Sequence, residues 1–356
     1  VLSFIILFSG IIYLFILSKD LPSLDELQKF NPEQVTKILS SDGQVIKKLY
    51  TYKRDMIEVS SIPINLRNAL LCMEDRDFYE HNGINIKGII RAVVINVVSL
   101  STKQGASTLT QQLARNMYND LSETYQIGSK KTIVRKLREF ITALMIEQTY
   151  TKSEILELYL NSVYFGHGNY GVQSASIYYF GKEASELTLN ESAILVGLLP
   201  APARYSPKSH PDRSDRRRHL VLKIMLEQGY ISDFEYNETI KLKIPNKIYD
   251  YDNSLAPHFS EHIRRNLEKL KKDLDINIYK DGLYVNTTLN SQIQQILEKN
   301  FKEIMIKNQN TFNSELLNNH VQLKKLSKEF NIDLDSLKLI LKNDLEIPKD
   351  LRKKLL

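Results

Sequence analysis

The sequence predicts a mainly α-helical protein, and three observations support that fold class. Between Asn65 and Gly229, apolar residues recur at helical rather than alternating spacing over most of the segment. Glycines interrupt this pattern at intervals typical of helix ends. Thr151 and Glu154 have the spacing of a capping box, in which each side chain binds the other residue's backbone N–H at the start of a helix.

The composition excludes several classes of protein. The 356 residues are 42% hydrophobic and 25% charged, close to ordinary globular usage, which excludes wholesale disorder. The single cysteine, Cys72, excludes an internal disulfide and a cysteine-built zinc site. The net charge of +6 is too modest to separate a nucleic-acid binder from a protein that works near anionic lipid. However, no zinc-finger, RNP or Walker signature occurs, so nucleic acid is not an expected partner.

The first segment of the chain is apolar. Val1–Leu17 contains no charged residue and reaches the lower limit of ~17 residues for a membrane-spanning helix. We therefore expect a transmembrane anchor over residues 1–18, truncated at its N-terminus because the chain begins without methionine. A buried core helix and a cleaved signal peptide are the alternatives, although no small-x-small cleavage pattern follows. Residues 19–62 form a juxtamembrane segment with a β-hairpin, since two β-prone runs flank Ser41–Gly43.

The rest of the chain divides into three predicted parts. Residues 63–240 form the main helical domain, and residues 241–290 form a linker with β elements that ends in GLYVNTTLN. Residues 291–356 read as a helical tail, expected to be the start of a truncated C-terminal region.

The segment from Asn68 to Gly83, NALLCMEDRDFYEHNG, contains the first candidate for chemistry. On a helix, Glu74, Phe78 and His81 would share one face. A carboxylate beside an aromatic ring can act as a general base, because partial desolvation raises its pKa toward working pH. The alternative is a solvated acidic helix end.

The segment from Gln104 to Tyr118, QGASTLTQQLARNMY, is rich in uncharged donors. Gly105 would let the backbone approach a ligand closely. The hydroxyl and amide groups suit sugar hydroxyls or phosphate oxygens, and the alternative is a helix N-cap. The donors are Ser107, Thr108, Thr110, Gln111 and Gln112.

The segment from Gly128 to Gln148 places a row of cations on one predicted helix face, with Lys131, Arg135 and Arg138 beside Glu139. Cations in the first turn of a helix oppose its dipole at a cost of ~0.3–1 kcal/mol each, which points to a functional demand. A di-anionic or pyrophosphate ligand fits such a row, and a solvated basic face is the alternative. The predicted buried stripe is Ile133, Leu137, Phe140, Ile141 and Leu144.

Four sequence motifs together resemble the peptidoglycan glycosyltransferase family, the polymerase domain of class A penicillin-binding proteins and of their monofunctional relatives. In chain order they are EDRDFYEHNG, GASTLTQQLARN, RKLRE and KSEILELYLNSVYFGHGNYG. The resemblance implies a lysozyme-like helical glycosyltransferase domain with a small jaw subdomain, preceded by a transmembrane helix and a short β-hairpin. It also implies polymerisation of lipid II into β-1,4-linked glycan strands, with inversion and release of undecaprenyl diphosphate.

The resemblance assigns roles to individual residues. Glu74 matches the general base for the acceptor sugar's 4-hydroxyl, and Glu139 matches a second essential carboxylate that organises the pyrophosphate. No organic cofactor is expected and no aspartate-rich metal motif occurs, although Mg²⁺ or Mn²⁺ at Glu139 stays open. The candidate substrate-binding residues are Ser107, Thr108, Gln111, Gln112, Arg115, Lys131, Arg135, Lys136, Arg138, Phe78, His81, Lys152 and Asn161.

The resemblance also implies partners and a location. The expected partners are lipid II, the growing lipid-linked strand, the membrane, and other cell-wall synthesis, division or elongation proteins. The expected location is the bacterial inner membrane, as a single-pass protein with its catalytic domain on the extracytoplasmic face. Two alternatives stay open, a lysozyme-like glycan hydrolase or lytic enzyme and a membrane-tethered non-catalytic scaffold.

The sequence lacks the motifs of a penicillin-reactive transpeptidase. No serine is followed by lysine three positions later, and no Lys-Thr-Gly sequence occurs. The sequence is therefore expected to be a bifunctional protein cut before or within its transpeptidase, or a monofunctional enzyme with an unusual tail.

Overall fold

The computed structural model describes residues 21–28, 32–98, 107–120, 133–245, 249 and 255–343. The predicted anchor at residues 1–18, Gly105 and Lys131 lie outside the described residues. The described part is mainly helical, so the predicted fold class is confirmed.

Across the described ranges, no helix combines the length and the apolar character that crossing a membrane requires.

Helices dominate the order of elements. The described helices are α1 (Leu24–Gln28), α2 (Ile64–Glu74), α3 (Ile86–Val98), α4 (Leu109–Asp120), α5 (Ile133–Thr149), α6 (Lys152–Ser162), α7 (Val172–Phe180), α8 (Leu189–Leu198), α9 (Pro202–Tyr205), α10 (Pro211–Glu227), α11 (Asp233–Ile240), α12 (Pro257–Leu274), α13 (Ser291–Asn318), α14 (His320–Phe330) and α15 (Leu334–Asn343). The described strands are β1 (Thr36–Leu39), β2 (Val45–Leu49), β3 (Tyr164–Gly166), β4 (Asn169–Tyr170) and β5 (Tyr284–Asn286).

The predicted β-hairpin is confirmed as β1 and β2. Gly43 has a φ of 80° in the turn between them, a conformation that glycine adopts without strain. Strand β5 adds to the other side of β1, giving the order β2-β1-β5. The backbone N–H of Lys37 donates to the carbonyl of Leu283 at 2.7 Å.

The described residues divide into two compact units, and the larger one contains Val45–Val285 and the described residues up to Ile38. In the larger unit, the core lies where α2, α4, α6, α8 and α10 present apolar faces. Leu70, Leu113, Tyr159, Leu195 and Leu222 are all fully buried there. These helices therefore form a rigid frame for the polar side chains that they carry.

The smaller unit contains Leu39–Gln44 and the described residues from Asn286 to Asn343. Helices α13, α14 and α15 pack there around Leu316, Leu323 and Leu337. They occupy the region predicted as a helical tail.

The buried face of α5 differs from the predicted stripe. Leu137, Phe140 and Ile141 are only half-buried, and Leu144 is 37% exposed. The buried positions are instead Glu139, Thr142, Ala143 and Ile146, at i, i+3, i+4 and i+7. The predicted helical spacing is therefore correct, but the predicted buried face of α5 is wrong. A carboxylate that binds several cations can be buried in place of an apolar side chain.

Candidate active site

Glu74 is the last residue of α2, and the helix ends there because Asp75 leaves the helical conformation, with φ −158° and ψ 79°. The Asp75 carboxylate accepts a hydrogen bond from the backbone N–H of Leu109 at 2.9 Å, at the start of α4. It also lies 2.9 Å from Nε2 of His81. The prediction that Glu74, Phe78 and His81 share a helix face is therefore wrong, since the last two lie beyond the helix.

The turn after α2 is fixed by a buried group of side chains. Phe78 is fully buried, and Nζ of Lys152 lies 4.5 Å from the centre of its ring. The same ammonium donates to the backbone carbonyl of His81 at 2.5 Å and to Glu147 at 2.8 Å. The hydroxyl of Thr110 also donates to Glu147, at 2.7 Å. Phe78, His81 and Lys152, all predicted to bind substrate, here hold the turn in place.

A chain of hydrogen bonds orients the Glu74 carboxylate. Nε2 of Gln112 donates to Oε2 of Glu74 at 2.8 Å, and the hydroxyl of Tyr159 donates to Oε1 of Gln112 at 3.1 Å. Burial, reinforced by the charge of Glu74, raises the pKa of Tyr159 well above its usual value. The phenol therefore stays protonated, and its bond fixes which end of the amide faces Glu74.

The sequence prediction missed Tyr159. The sequence does contain a sign of its role, because Tyr159 stands in the apolar pattern of α6. A buried phenol needs a hydrogen-bond partner, which indicates a polar neighbour.

Glu74 is half-buried and opens on a pocket of about 60 Å³. Other polar and charged side chains share the lining, so a hydroxyl that enters this pocket reaches the carboxylate in a polar environment. The other lining residues are Asp75, Arg76, Asp77, Asn85, Gly88, Arg91, Ser107 and Thr108.

Glu139 is fully buried on α5, where three cations surround its carboxylate. Nε of Arg115 lies 2.9 Å from Oε1, and Nη1 of Arg135 lies 2.5 Å from the same oxygen. Nζ of Lys136 lies 2.7 Å from Oε2. Three cations around one carboxylate leave an excess of two positive charges at this position.

The three cations keep Glu139 ionised. Burial alone would raise the pKa of this carboxyl, but the hydrogen bonds from Arg115 and Lys136 outweigh burial and lower it. Both oxygens already accept bonds from cations, which would also repel a metal ion. The residues around Glu139 therefore do not fit the divalent ion that the sequence left open there. Within the described ranges, no group of three or more His, Cys, Asp or Glu side chains could hold a metal.

Helix α4 links the two carboxylates. Gln112 and Arg115 are three residues apart and lie on one helix face, and they bind Glu74 and Glu139 respectively. At the start of the helix, the hydroxyl of Thr108 accepts a bond from the backbone N–H of Gln111 at 3.2 Å. Thr108 therefore caps α4, the alternative left open for this segment, while later residues of the segment reach the carboxylates.

The remaining candidates are placed as follows. Nζ of Lys136 donates to the hydroxyl of Ser107 at 3.0 Å, so Ser107 lies beside the cations around Glu139. Gln111 is buried in α4, and Arg138 is half-buried on α5. The structure does not bring Asn161 to either carboxylate. Its amide is buried and binds both backbone groups of Ile57, at 2.8 and 3.0 Å.

Comparison with known proteins identifies the family. The family described as Transglycosylase matches residues 42–226, just over half of the chain. This range contains both carboxylates, the three cations and the Tyr159–Gln112 pair.

The chain is similar to several penicillin-binding proteins. Penicillin-binding protein 1A of Aquifex aeolicus is 35% identical over 304 residues, which cover 84% of this chain and 40% of the relative. Penicillin-binding protein 1F of Bacillus subtilis is 36% identical over 275 residues, covering 75% and 37%. Penicillin-binding protein 1A of Neisseria gonorrhoeae is 39% identical over 278 residues, covering 77% and 33%. The chain thus spans at most about 40% of the length of these relatives. The length and position of the family match show that this chain belongs to the transglycosylase family.

Proposed function

We propose that this chain is a peptidoglycan glycosyltransferase that polymerises lipid II into β-1,4-linked glycan strands, with inversion at the anomeric carbon and release of undecaprenyl diphosphate. One observation supports the proposal most directly. Helix α4 links an accessible carboxylate, that of Glu74, to the three cations around Glu139, which we call the cation group and which have an excess of two positive charges.

Glu74 acts as the general base. Its carboxylate opens on a polar pocket, and the amide of Gln112 donates to one of its oxygens. It takes the proton of the acceptor 4-hydroxyl while that oxygen attacks the anomeric carbon of the donor sugar and the bond to the diphosphate breaks. A positioned base contributes ~10²–10⁴-fold in rate.

Arg115, Arg135 and Lys136 stabilise the leaving diphosphate, on which negative charge develops as the sugar bond breaks. Their excess of two positive charges over Glu139 matches a di-anionic ligand. Glu139 is fully buried and bound by these cations. It therefore acts as a positioning residue that holds them together against their mutual repulsion.

An apolar surface next to the Glu74 pocket supports a lipid substrate. Ile86, Ile90 and Val94 follow each other at four-residue spacing on α3 and are 67%, 60% and 55% exposed. Gly88 and Arg91 of the same helix line the Glu74 pocket. A membrane surface would cover such a face, and confinement of enzyme and substrate to one membrane raises their effective concentration.

The remaining expectations belong to the same proposal. The protein would be a single-pass protein of the bacterial inner membrane, with its catalytic domain on the extracytoplasmic face. The growing lipid-linked strand would be its second substrate, and other cell-wall synthesis, division and elongation proteins would be its partners.

Incubation of the purified chain with lipid II, followed by gel analysis of the products, tests the proposal. We expect glycan polymer from the wild type and none from Glu74→Gln, with the same unfolding temperature for both proteins. Release of muropeptide fragments from sacculi without polymer would instead establish a glycan hydrolase. Near wild-type polymerisation by Glu74→Gln would exclude Glu74 as the base.

Lys136→Ala tests the cation group separately, because Lys136 is 44% exposed and its loss leaves the helix packing unchanged. We expect at least tenfold weaker affinity for a diphosphate lipid. Lys241→Ala removes a comparable exposed lysine at the residue that follows α11 and is the control. Equal affinity in the two variants would contradict the role of Lys136.

A further inference from the structure

A second cationic pocket lies on α9 and α10. It has a volume of about 300 Å³, and four arginines, a tyrosine and a leucine line it. No carboxylate of the described residues is part of that lining. The lining residues are Arg204, Tyr205, Arg213, Arg216, Arg217 and Leu220.

The arginines converge because of helix geometry. Arg213, Arg216, Arg217 and Leu220 follow the i, i+3, i+4, i+7 spacing of a single face of α10. Arg204 reaches the same space from α9, which packs against α10.

Tyr205 orders two of the guanidinium groups. The guanidinium carbons of Arg204 and Arg217 lie 5.7 and 5.6 Å from the centre of its ring, within the range of a cation–π contact. Ring and guanidinium planes present a preformed surface, so a ligand would immobilise fewer side chains on binding.

Arg217 also packs against α8. Its Cγ packs over Gly197 of α8, where an added Cβ would lie 3.1 Å from it. Its Nε is buried and makes no hydrogen bond in the described structure. A buried donor without a partner costs free energy unless a ligand or water satisfies it.

Asp215, which lies between Arg213 and Arg216 in the chain, does not neutralise this pocket. The Asp215 carboxylate lies 2.7 Å from Nη2 of Arg218, a buried arginine that also donates to the backbone carbonyls of Ile240, the last residue of α11, and Leu242, just after it. Among the described residues, no ion pair joins Arg204, Arg213, Arg216 or Arg217 to a carboxylate. Four like charges around one cavity repel each other, and a bound anion would offset that repulsion.

We propose that this pocket is a binding site for a phosphate-bearing anion, separate from the cation group around Glu139. Guanidinium groups bind phosphate oxygens in a bidentate manner, and several of them satisfy the oxygens of one phosphate or diphosphate. The ligand is either a soluble phosphate compound or the headgroup of an anionic phospholipid.

Isothermal titration of the full chain in neutral detergent with inorganic pyrophosphate tests this site. The double variant Arg213→Gln/Arg216→Gln removes two exposed lining charges. Arg264→Gln/Arg265→Gln removes the same total charge from α12, where Glu261 already pairs with both arginines. We expect the pocket variant, Arg213→Gln/Arg216→Gln, to bind pyrophosphate at this site at least tenfold more weakly than the wild type. The control variant, Arg264→Gln/Arg265→Gln, should bind pyrophosphate there as the wild type does.

The active-site cations are a second source of pyrophosphate binding, so both measurements are repeated with Lys136→Ala. The pocket component should persist there. Unchanged binding in the pocket variant, or an equal loss in the control, would overturn the proposal. Mixed micelles distinguish the two sources. If phosphatidylglycerol but not phosphatidylcholine displaces pyrophosphate from the pocket, the ligand is a lipid headgroup. If neither displaces it, the ligand is a soluble phosphate.

Discussion

Replacement of Glu139 by glutamine removes the charge that three cations share while keeping the shape of the side chain. Lys136 and Arg115 are 44% and 39% exposed, so water screens them and each pair contributes only ~0–1 kcal/mol. Arg135 is 14% exposed, and loss of one partner of a buried ion pair costs ~3–5 kcal/mol. We expect Glu139→Gln to lower the free energy of unfolding by about 3 kcal/mol, the lower end of that range because Arg135 keeps some solvent contact.

Differential scanning calorimetry measures this effect as a change in unfolding temperature. For a domain of this size, about 3 kcal/mol corresponds to a decrease of roughly 6–12 °C. Glu238→Gln is the matched control, because Glu238 is 55% exposed and pairs with a single exposed lysine. We expect no measurable change for the control.

The pH dependence of the same variant gives a second test. The pKa of Glu139 is lower in the folded protein, so the stability it contributes is complete above its unfolded pKa. That stability is lost as the pH falls through the folded pKa. The stability difference between wild type and Glu139→Gln should therefore close in acid. A difference below 1 kcal/mol at neutral pH, or one that persists unchanged in acid, would refute this account of the cation group.

Two further predictions follow from the described contacts. Tyr159→Phe removes the bond that orients the Gln112 amide, so we expect a lower kcat with an unchanged KM for lipid II and a stability loss of about 1–3 kcal/mol; a wild-type kcat would show that Tyr159 does not position Glu74. Gly83→Ala places a Cβ 2.8 Å from the carbonyl oxygen of Ala143 at a residue with φ of 82°. Urea unfolding should show that the free energy of unfolding falls by at least 1–2 kcal/mol, roughly the cost of the left-handed conformation alone. Gly168→Ala is the control, because Gly168 also has a positive φ but an added Cβ there has no close neighbour, so we expect a smaller loss of stability.

Local patterns predicted the parts of the fold that local interactions determine. The capping box at Thr151 and Glu154 is present, with each side chain bound to the other's backbone N–H. The hairpin around Gly43 is present because turn chemistry acts over a few residues. Both carboxylates were predicted as site residues from their motifs, and the structure places each in a distinct polar environment.

Non-local partners account for what the sequence could not predict. α2 ends at Glu74, and Asp75 binds Leu109, a residue 34 positions away in the chain. The buried side of α5 contains Glu139 because α4 supplies Arg115 across the helix interface. Hydrophobic periodicity locates a helix and its apolar face but contains no information on which face a partner helix will cover.

The link through α4 also sets the spacing between the two carboxylate positions. Each residue of an α-helix advances about 1.5 Å, so Gln112 and Arg115 set an axial offset of about 4.5 Å between the positions that bind the two carboxylates. An insertion of one residue between them would rotate one contact away by about 100° while leaving every side chain of the site intact. The spacing of the two proposed catalytic positions therefore depends on the number of residues between Gln112 and Arg115 as well as on their identity. If the chain is the proposed glycosyltransferase, it should tolerate many substitutions in this turn of α4 but no change in its register.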